Sequence, residues 1–422
     1  MSAAGSPQWT FSPYGAAMSA IAQPRTPGFA QGIILLLPCI MAVMGVLALA
    51  PVVPKMIEAF STTPNVVFWV NIILTVPSLC LMLFSPLMGL AGDRFGRRGL
   101  LIVALFAYAA LGVAPIFLNN IWAILATRIG VGIAEAGVLT LSTTLVGDLF
   151  QGEARDRWLG MQMAVASIGA IVCLIVGGAL GSAFGWRGSF ALYGVAALLA
   201  IAVSVLIWEP QRSAAPASLN TDSQVIFPWH AMAGICAITL FASILVYTWQ
   251  IEVGVALSAL GMRDPAQIGF YTAIVSLATS VGTLSFQALT RVSVAKLLTA
   301  EFLIIGASYC AMSMVRDPNS FLLISALNQI GAGMIMPTLL TWAVRQLSFE
   351  IRGRGTGIWQ GAFSVGQFCA GLLIPVSIGI GGGIIGSYRV LGVAALIAGA
   401  TALYKVLTLA PSTKPAEMRL HP

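Results

Sequence analysis

Long, predominantly apolar segments recur along almost the whole of this chain, and that recurrence constrains the fold more than any single motif. A helix that crosses the hydrocarbon core of a bilayer needs ~20 such residues, because each residue advances only ~1.5 Å along the axis. Twelve segments meet the requirement: 31–53, 66–91, 99–118, 121–146, 157–182, 188–208, 230–255, 267–289, 293–315, 320–344, 355–380 and 384–409. Short turns separate them. With 58% hydrophobic residues, only 8% charged residues and a mean hydropathy of +0.94, the chain has too little polar surface to cover one water-soluble core. The expected class is an all-α integral membrane protein with lipid as its solvent.

The net charge of +7 does not imply nucleic acid as a partner, because the basic residues are scattered over short loops instead of forming one stripe. With a cytoplasmic N-terminus, inner loops and tails carry fifteen Lys or Arg, including Arg94, Arg97, Arg98, Arg155, Arg157, Arg352 and Arg354. The outer side carries five: Lys55, Arg187, Arg263, Arg316 and Arg389. This bias satisfies the positive-inside rule and places both termini in the cytoplasm. The expected location is a bacterial inner (cytoplasmic) membrane, crossed many times. Six cysteines, Cys39, Cys80, Cys173, Cys236, Cys310 and Cys369, fall inside the apolar segments without paired spacing, so they read as small apolar residues. The Ala-, Ser-, Pro- and Gly-rich start lacks the basic region and short apolar core of a cleaved signal, so it reads as a cytoplasmic tail.

A parallel duplication organises the chain. Glu153, Arg155, Arg157 and Gly160 return 197 positions later as Glu350, Arg352, Arg354 and Gly357, and Arg94, Leu100 and Leu101 return as Arg291, Leu297 and Leu298. Each repeat holds an even number of spans, so two six-helix halves of like orientation should be related by an axis along the membrane normal. The expected organisation is a tail over 1–30, a first bundle over 31–208, a cytoplasmic linker over 209–229, a second bundle over 230–409 and a tail over 410–422. The linker, with three prolines, is the one long polar interruption.

Between the second and third spans stands Gly89-Leu90-Ala91-Gly92-Asp93-Arg94-Phe95-Gly96-Arg97-Arg98. Glycines there permit a tight two-helix turn, and the charges can form salt bridges or meet a helix terminus. This stretch resembles the signature loop of the major facilitator superfamily, and Gly185-Trp186-Arg187-Gly188-Ser189-Phe190 is similar to a further pattern of that family. The resemblance covers about residues 31 to 409 and implies the major facilitator fold: twelve transmembrane helices in two pseudo-symmetric halves. It also implies that Gly89, Asp93, Arg94, Gly96 and Arg97 belong to a conformational latch. In that role Asp93 and Arg94 would hold the halves together on the cytoplasmic side, with Asp148 as the acidic partner. Arg98 reads as a topology anchor.

The fourth span carries the chemistry. Arg128-Ile129-Gly130-Val131-Gly132 resembles a motif of proton-coupled members, and Glu135 follows seven residues after Arg128. Seven residues make almost two helical turns, so the charges share a face ~10 Å apart. Intramembrane charges are expensive and normally line a functional cavity, although Arg128 and Glu135 could also neutralise each other. The opposed influences of burial and a nearby arginine suit Glu135 to loading and releasing protons. Glu252, near an outer helix end, and Glu301, near an inner one, are placed where snorkelling to water is easy. In the fifth span Gly169, Gly177 and Gly178 match a drug-antiporter pattern, but Cys173 and Leu174 stand where that pattern has Gly-Pro, which leaves the direction of transport open.

Enzyme signatures are absent: there is no Walker loop or dinucleotide fingerprint, and His230 and His421 are the only histidines. The glycine run from Gly379 to Gly386 reads as a hairpin. Candidate cavity groups are Asn71, Tyr247, Gln250, Asn328, Gln329, Trp359 and Gln360, a set with little fixed charge that suits an amphipathic or partly aromatic small molecule. The expectation is a monomeric, proton-coupled exporter of such a compound, a drug or secondary metabolite. It would work by alternating access with no cofactor beyond the proton gradient, its partners being substrate, protons and lipid, with no nucleic acid. A proton-coupled importer of a small organic anion or lipid-like solute is the alternative, and a channel or non-transporting sensor a third class.

Overall fold

The computed structural model describes residues 27–210, 227–348 and 351–408. Among them, twelve helices are long and apolar enough to cross a membrane. In chain order they are α1 (Phe29–Ala59), α2 (Val66–Phe95), α3 (Arg97–Phe117), α4 (Ile121–Leu149), α5 (Gly152–Phe184) and α6 (Gly188–Leu206), then α7 (Trp229–Ala259), α8 (Pro265–Ala288), α9 (Val294–Met312), α10 (Pro318–Arg345), α11 (Arg352–Gly381) and α12 (Ile384–Tyr404). Residues 1–26 of the expected first tail, the whole of the last tail and most of the expected linker lie outside the described residues, as does Glu350 of the repeat.

The helix ends follow from local chemistry. Asn120, Asp264 and Asp317 accept hydrogen bonds from the first-turn N–H groups of Trp122, Ala266 and Ser320, capping α4, α8 and α10, and Pro265 and Pro318 occupy first-turn positions where no N–H is needed. Pro38 and a short 3-10 segment at Ala50–Val52 interrupt α1. The expected glycine hairpin between α11 and α12 is present: Gly382 (φ 73°) and Gly383 (φ 139°) take left-handed conformations there. Several helices run past their expected bounds. The fifth begins at Gly152 instead of 157, because Glu153, Arg155, Asp156 and Arg157 form an exposed, charged helical turn that hydropathy alone does not register.

Helix pairing displays the repeat. In the first half α1 packs on α5, α2 on α4, and α3 on both α4 and α6; in the second, α7 packs on α11, α8 on α10, and α9 on both α10 and α12. Each pair recurs six helices later. The halves join through α2–α11 and α5–α8, contacts that the same six-helix shift exchanges. One hydrophobic core gathers mainly residues 34–207, and another residues 227–395.

The chain ends α1 and α12 start and finish on one face of the bundle, and the halves approach most closely toward the opposite, far face. A Cβ at Gly254 of α7 would stand 2.4 Å from the Ala50 carbonyl oxygen of α1, and one at Gly178 of α5 would stand 2.5 Å from the Pro265 carbonyl oxygen of α8. Gly269 and Gly371 meet the backbone of Leu174 and Asn71 in the same way, at 2.3 and 3.1 Å. These approaches are possible only without side chains, the usual device for tight packing where lipid gives helices no hydrophobic drive to associate. At the far rim, the Ser182 hydroxyl of α5 and the Ala266 and Gln267 backbone N–H groups hydrogen-bond the Asp264 carboxylate, with Lys55 of α1 nearby. The Ser182 bond, then these backbone donors, hold this carboxyl below the usual aspartate range.

Candidate functional site

Small residues bring α4 against its neighbours. A Cβ at Gly132 would lie 2.6 Å from the Pro77 Cα of α2, so α2 and α4 touch backbone to backbone in mid-span. Two charges stand in this dense region. Arg128 is fully buried, with Nη2 donating to the Gly112 carbonyl of α3 at 3.4 Å and the guanidinium over the rings of Tyr193 (4.6 Å) and Phe190 (5.2 Å) of α6. Cation–π contact in a desolvated site contributes ~2 kcal/mol or more, which offsets only part of the burial of a charge. Among the described residues its Nε and Nη1 find no hydrogen-bond partner, although the guanidinium also interacts with the Tyr193 hydroxyl.

Glu135 is likewise buried, with Oε2 unpartnered and 3.7 Å from where a Cβ on Gly45 of α1 would be. No ion pair joins Glu135 to Arg128, so the mutual neutralisation that their spacing allows is not realised in this conformation. Glu135 is within electrostatic reach of Tyr247 on α7, across the boundary between the halves. Beyond Tyr247 an aromatic row continues along α11: Phe363 meets Tyr247 edge-on at 5.5 Å and stacks on Trp359 at 6.1 Å. The Trp359 indole N–H is buried without a partner. Tyr247 thus packs against the first-half core and Trp359 belongs to the second-half core, while Gln250 is half-buried and Gln360 exposed.

Other candidates lie against neighbouring helices. Asn71 is buried, and its backbone carbonyl, which accepts from Thr75, stands at the α2–α11 crossing. Asn328 donates to the Ser308 hydroxyl (3.1 Å) and the Ile305 carbonyl (3.4 Å), binding α10 to α9, and Gln329 accepts from Thr279 of α8 at 2.8 Å while its buried Nε2 finds no partner among the described residues. The snorkelling expected of Glu252 and Glu301 is corrected: both are buried, Glu252 accepting from Ser387 (3.3 Å) and Glu301 from Thr338 (2.6 Å). Each sits on a helix face turned toward a neighbouring helix, a rotation that distance from the helix end does not reveal.

At the loop after α2, Arg97 joins Asp93 (2.7 Å) to Asp148 of α4. Arg94 instead lies over the Phe95 ring, and Gly89 and Gly96 sit at the helix crossing and the turn. Sequence reasoning missed Glu209. Its carboxylate accepts from the backbone N–H groups of Arg97 (2.7 Å) and Arg98 (2.9 Å), capping α3 from the end of the first half. Arg98 completes this clasp by donating to the Ile207 and Ser204 carbonyls. A carboxylate next to a proline just past a span was the available signal.

Comparison with known proteins agrees with this architecture. The model of the family described as Major Facilitator Superfamily matches residues 34–262. Similar sequences include "Protein spinster homolog 3" of Danio rerio, 27% identical over 206 residues, which are 44% of this chain and 41% of that protein. Another is "Tetracycline resistance protein, class B" of Escherichia coli, 26% identical over 182 residues, 43% of this chain and 44% of that one. The matched stretches thus span less than half the length of these relatives. Among solved structures, a D-xylose-proton symporter superposes with a TM-score of 0.73 at 15% identity, covering 89% of this chain and 97% of that one. A bacterial homologue of the human lysosomal transporter Spinster, in an inward-facing and occupied conformation, gives 0.69 at 16% identity, covering 90% and 95%.

Proposed function

Because this chain belongs to the Major Facilitator Superfamily, we propose that it is a proton-coupled secondary transporter that exports an amphipathic or aromatic small molecule. The observation that carries the coupling is the pair of unsatisfied charges on α4. Arg128 keeps two unpartnered nitrogens and Glu135 one unpartnered oxygen, all buried in the same half. Such groups gain most from a change of partner. With Glu135 charged, its attraction to Arg128 draws the two side chains together. With Glu135 protonated, Arg128 is released to the aromatic faces of Phe190 and Tyr193 that hold it here. Glu135 also lies beside the boundary between the halves, so its charge state biases how they meet.

Substrate recognition falls to Tyr247, Phe363, Trp359 and Gln250, which offer π-faces and amide or indole hydrogen bonds with no fixed charge. A relative named for tetracycline resistance supports export of a compound of this kind. The protein is a multi-pass membrane protein, and in this reading it acts as a monomer in a bacterial inner membrane, driven by the proton gradient without a cofactor. The cluster of Asp93, Arg97 and Asp148 lies wholly within the first half here, so in this reading it latches onto the second half only when the cytoplasmic side closes.

The second reading, import of a lipid-like solute, draws on a different feature. An apolar cavity of about 390 Å³ lies between α1, α5 and α6, lined by residues such as Ile40, Met44, Val172 and Leu199. Glu135→Gln in proteoliposomes decides the role of α4. The expected outcome is loss of substrate accumulation driven by a pH difference, with binding and downhill exchange retained. A variant that still builds a gradient from the pH difference makes Glu135 a structural residue. The sign of the imposed pH difference that drives accumulation separates export from import.

A further inference from the structure

The two halves contain matching tyrosine pairs. In the first, the Tyr108 hydroxyl of α3 donates to the Met41 carbonyl of α1 (2.8 Å), and its ring lies 5.3 Å from that of Tyr193 on α6. In the second, the Tyr309 hydroxyl of α9 donates to the Leu245 carbonyl of α7 (2.5 Å), and its ring stacks 5.6 Å from Tyr388 of α12. Helix for helix, α1, α3 and α6 correspond to α7, α9 and α12. Each pair therefore braces the equivalent helix of its half, and each is accompanied by a buried ionisable group of opposite sign: Arg128 in the first, Glu252 in the second.

The surroundings of Glu252 hold two buried oxygen atoms with unmet needs. Oε2 accepts from Ser387, while Glu252 Oε1 and the neighbouring Tyr388 hydroxyl have no partner. The ionisable groups facing it from α9 and α12 are Tyr309 and Tyr388. Arg389, next along α12, is exposed, and on α1 Lys55 acts on Asp264 while Glu58 is exposed. The sequence of α8 carries no charged residue, and those of α10 and α11 carry only Arg345, Arg352 and Arg354, at the face of the chain ends. Among the described residues no cation thus meets Glu252. A proton on Oε1 removes an uncompensated buried charge, and the Tyr388 hydroxyl within electrostatic reach is not hydrogen-bonded to the carboxyl here.

We propose that Glu252, Ser387 and Tyr388, braced by Tyr309, form a second proton-binding site, one that sets how firmly α7 is held to α12. The proton is taken up from and returned to water, and no other bond changes. Two residues beyond Glu252, α7 presents Gly254 to the Ala50 carbonyl of α1 at the far-face junction of the halves. Loss of the proton leaves a buried anion that draws in water, loosens the α7–α12 seam and with it that junction. This inference rests on the reading of the protein as proton-coupled, but not on Glu135 being the coupling group.

Infrared difference spectroscopy of the full-length protein in lipid bilayers, titrated from mildly acidic to mildly basic pH, tests the site through the carbonyl stretch of protonated carboxyls. The wild-type protein should show a titrating component that Glu252→Gln removes, Ser387→Ala and Tyr388→Phe shift in frequency, and Glu135→Gln leaves in place. A Glu252→Gln spectrum that matches the wild type, or a Glu252 band that does not titrate, overturns the proposal. Failure of Glu135→Gln to affect pH-driven accumulation refutes the Glu135 role alone. The Ser387 and Tyr388 variants retain the carboxyl, so the test survives any instability of Glu252→Gln.

Discussion

At the scale of single residues, Arg97 reaches two carboxylates at once, Asp93 and Asp148. All three groups are partly exposed, so each ion pair contributes only ~0.2–1 kcal/mol to stability. The cluster is therefore better suited to biasing a conformational equilibrium than to holding the fold. Asp93→Asn is expected to lower the unfolding temperature little while slowing transport severalfold. Initial rates in proteoliposomes beside thermal unfolding in detergent check this, and normal flux with a strongly destabilised protein would refute it. Arg128 and Glu135 were legible in the sequence because charges inside an apolar span stand out against their background. Glu209 was not, since its partners at Arg97 and Arg98 lie over a hundred positions away and only folding brings them together. Asn328, whose amide meets α9, read as a cavity group for the converse reason. Polarity inside a span is visible in sequence, but whether it faces a cavity or the next helix depends on rotation about the helix axis.

At the scale of elements, all twelve spans were legible, because length and hydropathy alone decide whether a helix can cross a bilayer. Their partners were not. The antiporter-like glycines of the fifth span foretold close packing, and the structure supplies the neighbours: Gly169 faces Ile40 of α1, Gly177 the Ala48 carbonyl, and Gly178 the Pro265 carbonyl of α8. Only the last crosses between halves. A methyl group at Gly178 meets backbone at 2.5 Å, which no side-chain rotation relieves, while each half keeps its own core. Gly178→Ala is thus expected to shift the protein toward conformations parted at the far face. Spin labels at Thr62 and Asn319, exposed on opposite halves at that face, should report a longer separation than in the parent. An unchanged distance distribution would mean that α5 and α8 can slide to accept the methyl group without opening.

At the scale of the whole molecule, the charge bias is the ground for proposing that both termini and the linker lie on the cytoplasmic side. A cysteine introduced as Asp222→Cys should accordingly be protected in intact cells from an impermeant thiol reagent and react after permeabilisation. Reaction in intact cells would invert the topology. In the predicted orientation the far face is outside, and the Ser182–Asp264 hydrogen bond, with Lys55 nearby, ties α5 to the start of α8 at its rim. Because hydrogen bonding from Ser182, then from the backbone, depresses the Asp264 carboxyl, the sign of its pH dependence is fixed. Its contribution to closure is complete above the ordinary aspartate value of 3.8 and fades as pH falls through the lower value of the closed state. A proton gradient near neutrality is not expected to work this clasp, and in the proposed reading a pH response of the far face in that range comes from the buried carboxyls of Glu135 or Glu252. Asp264→Asn is expected to lengthen the separation between Thr62 and Asn319 at neutral pH without altering its dependence on pH. The combined variant Glu135→Gln with Glu252→Gln should instead keep the short separation and lose that dependence. A pH response near neutrality that vanishes in Asp264→Asn alone would show that the rim clasp, and not the membrane interior, senses the proton.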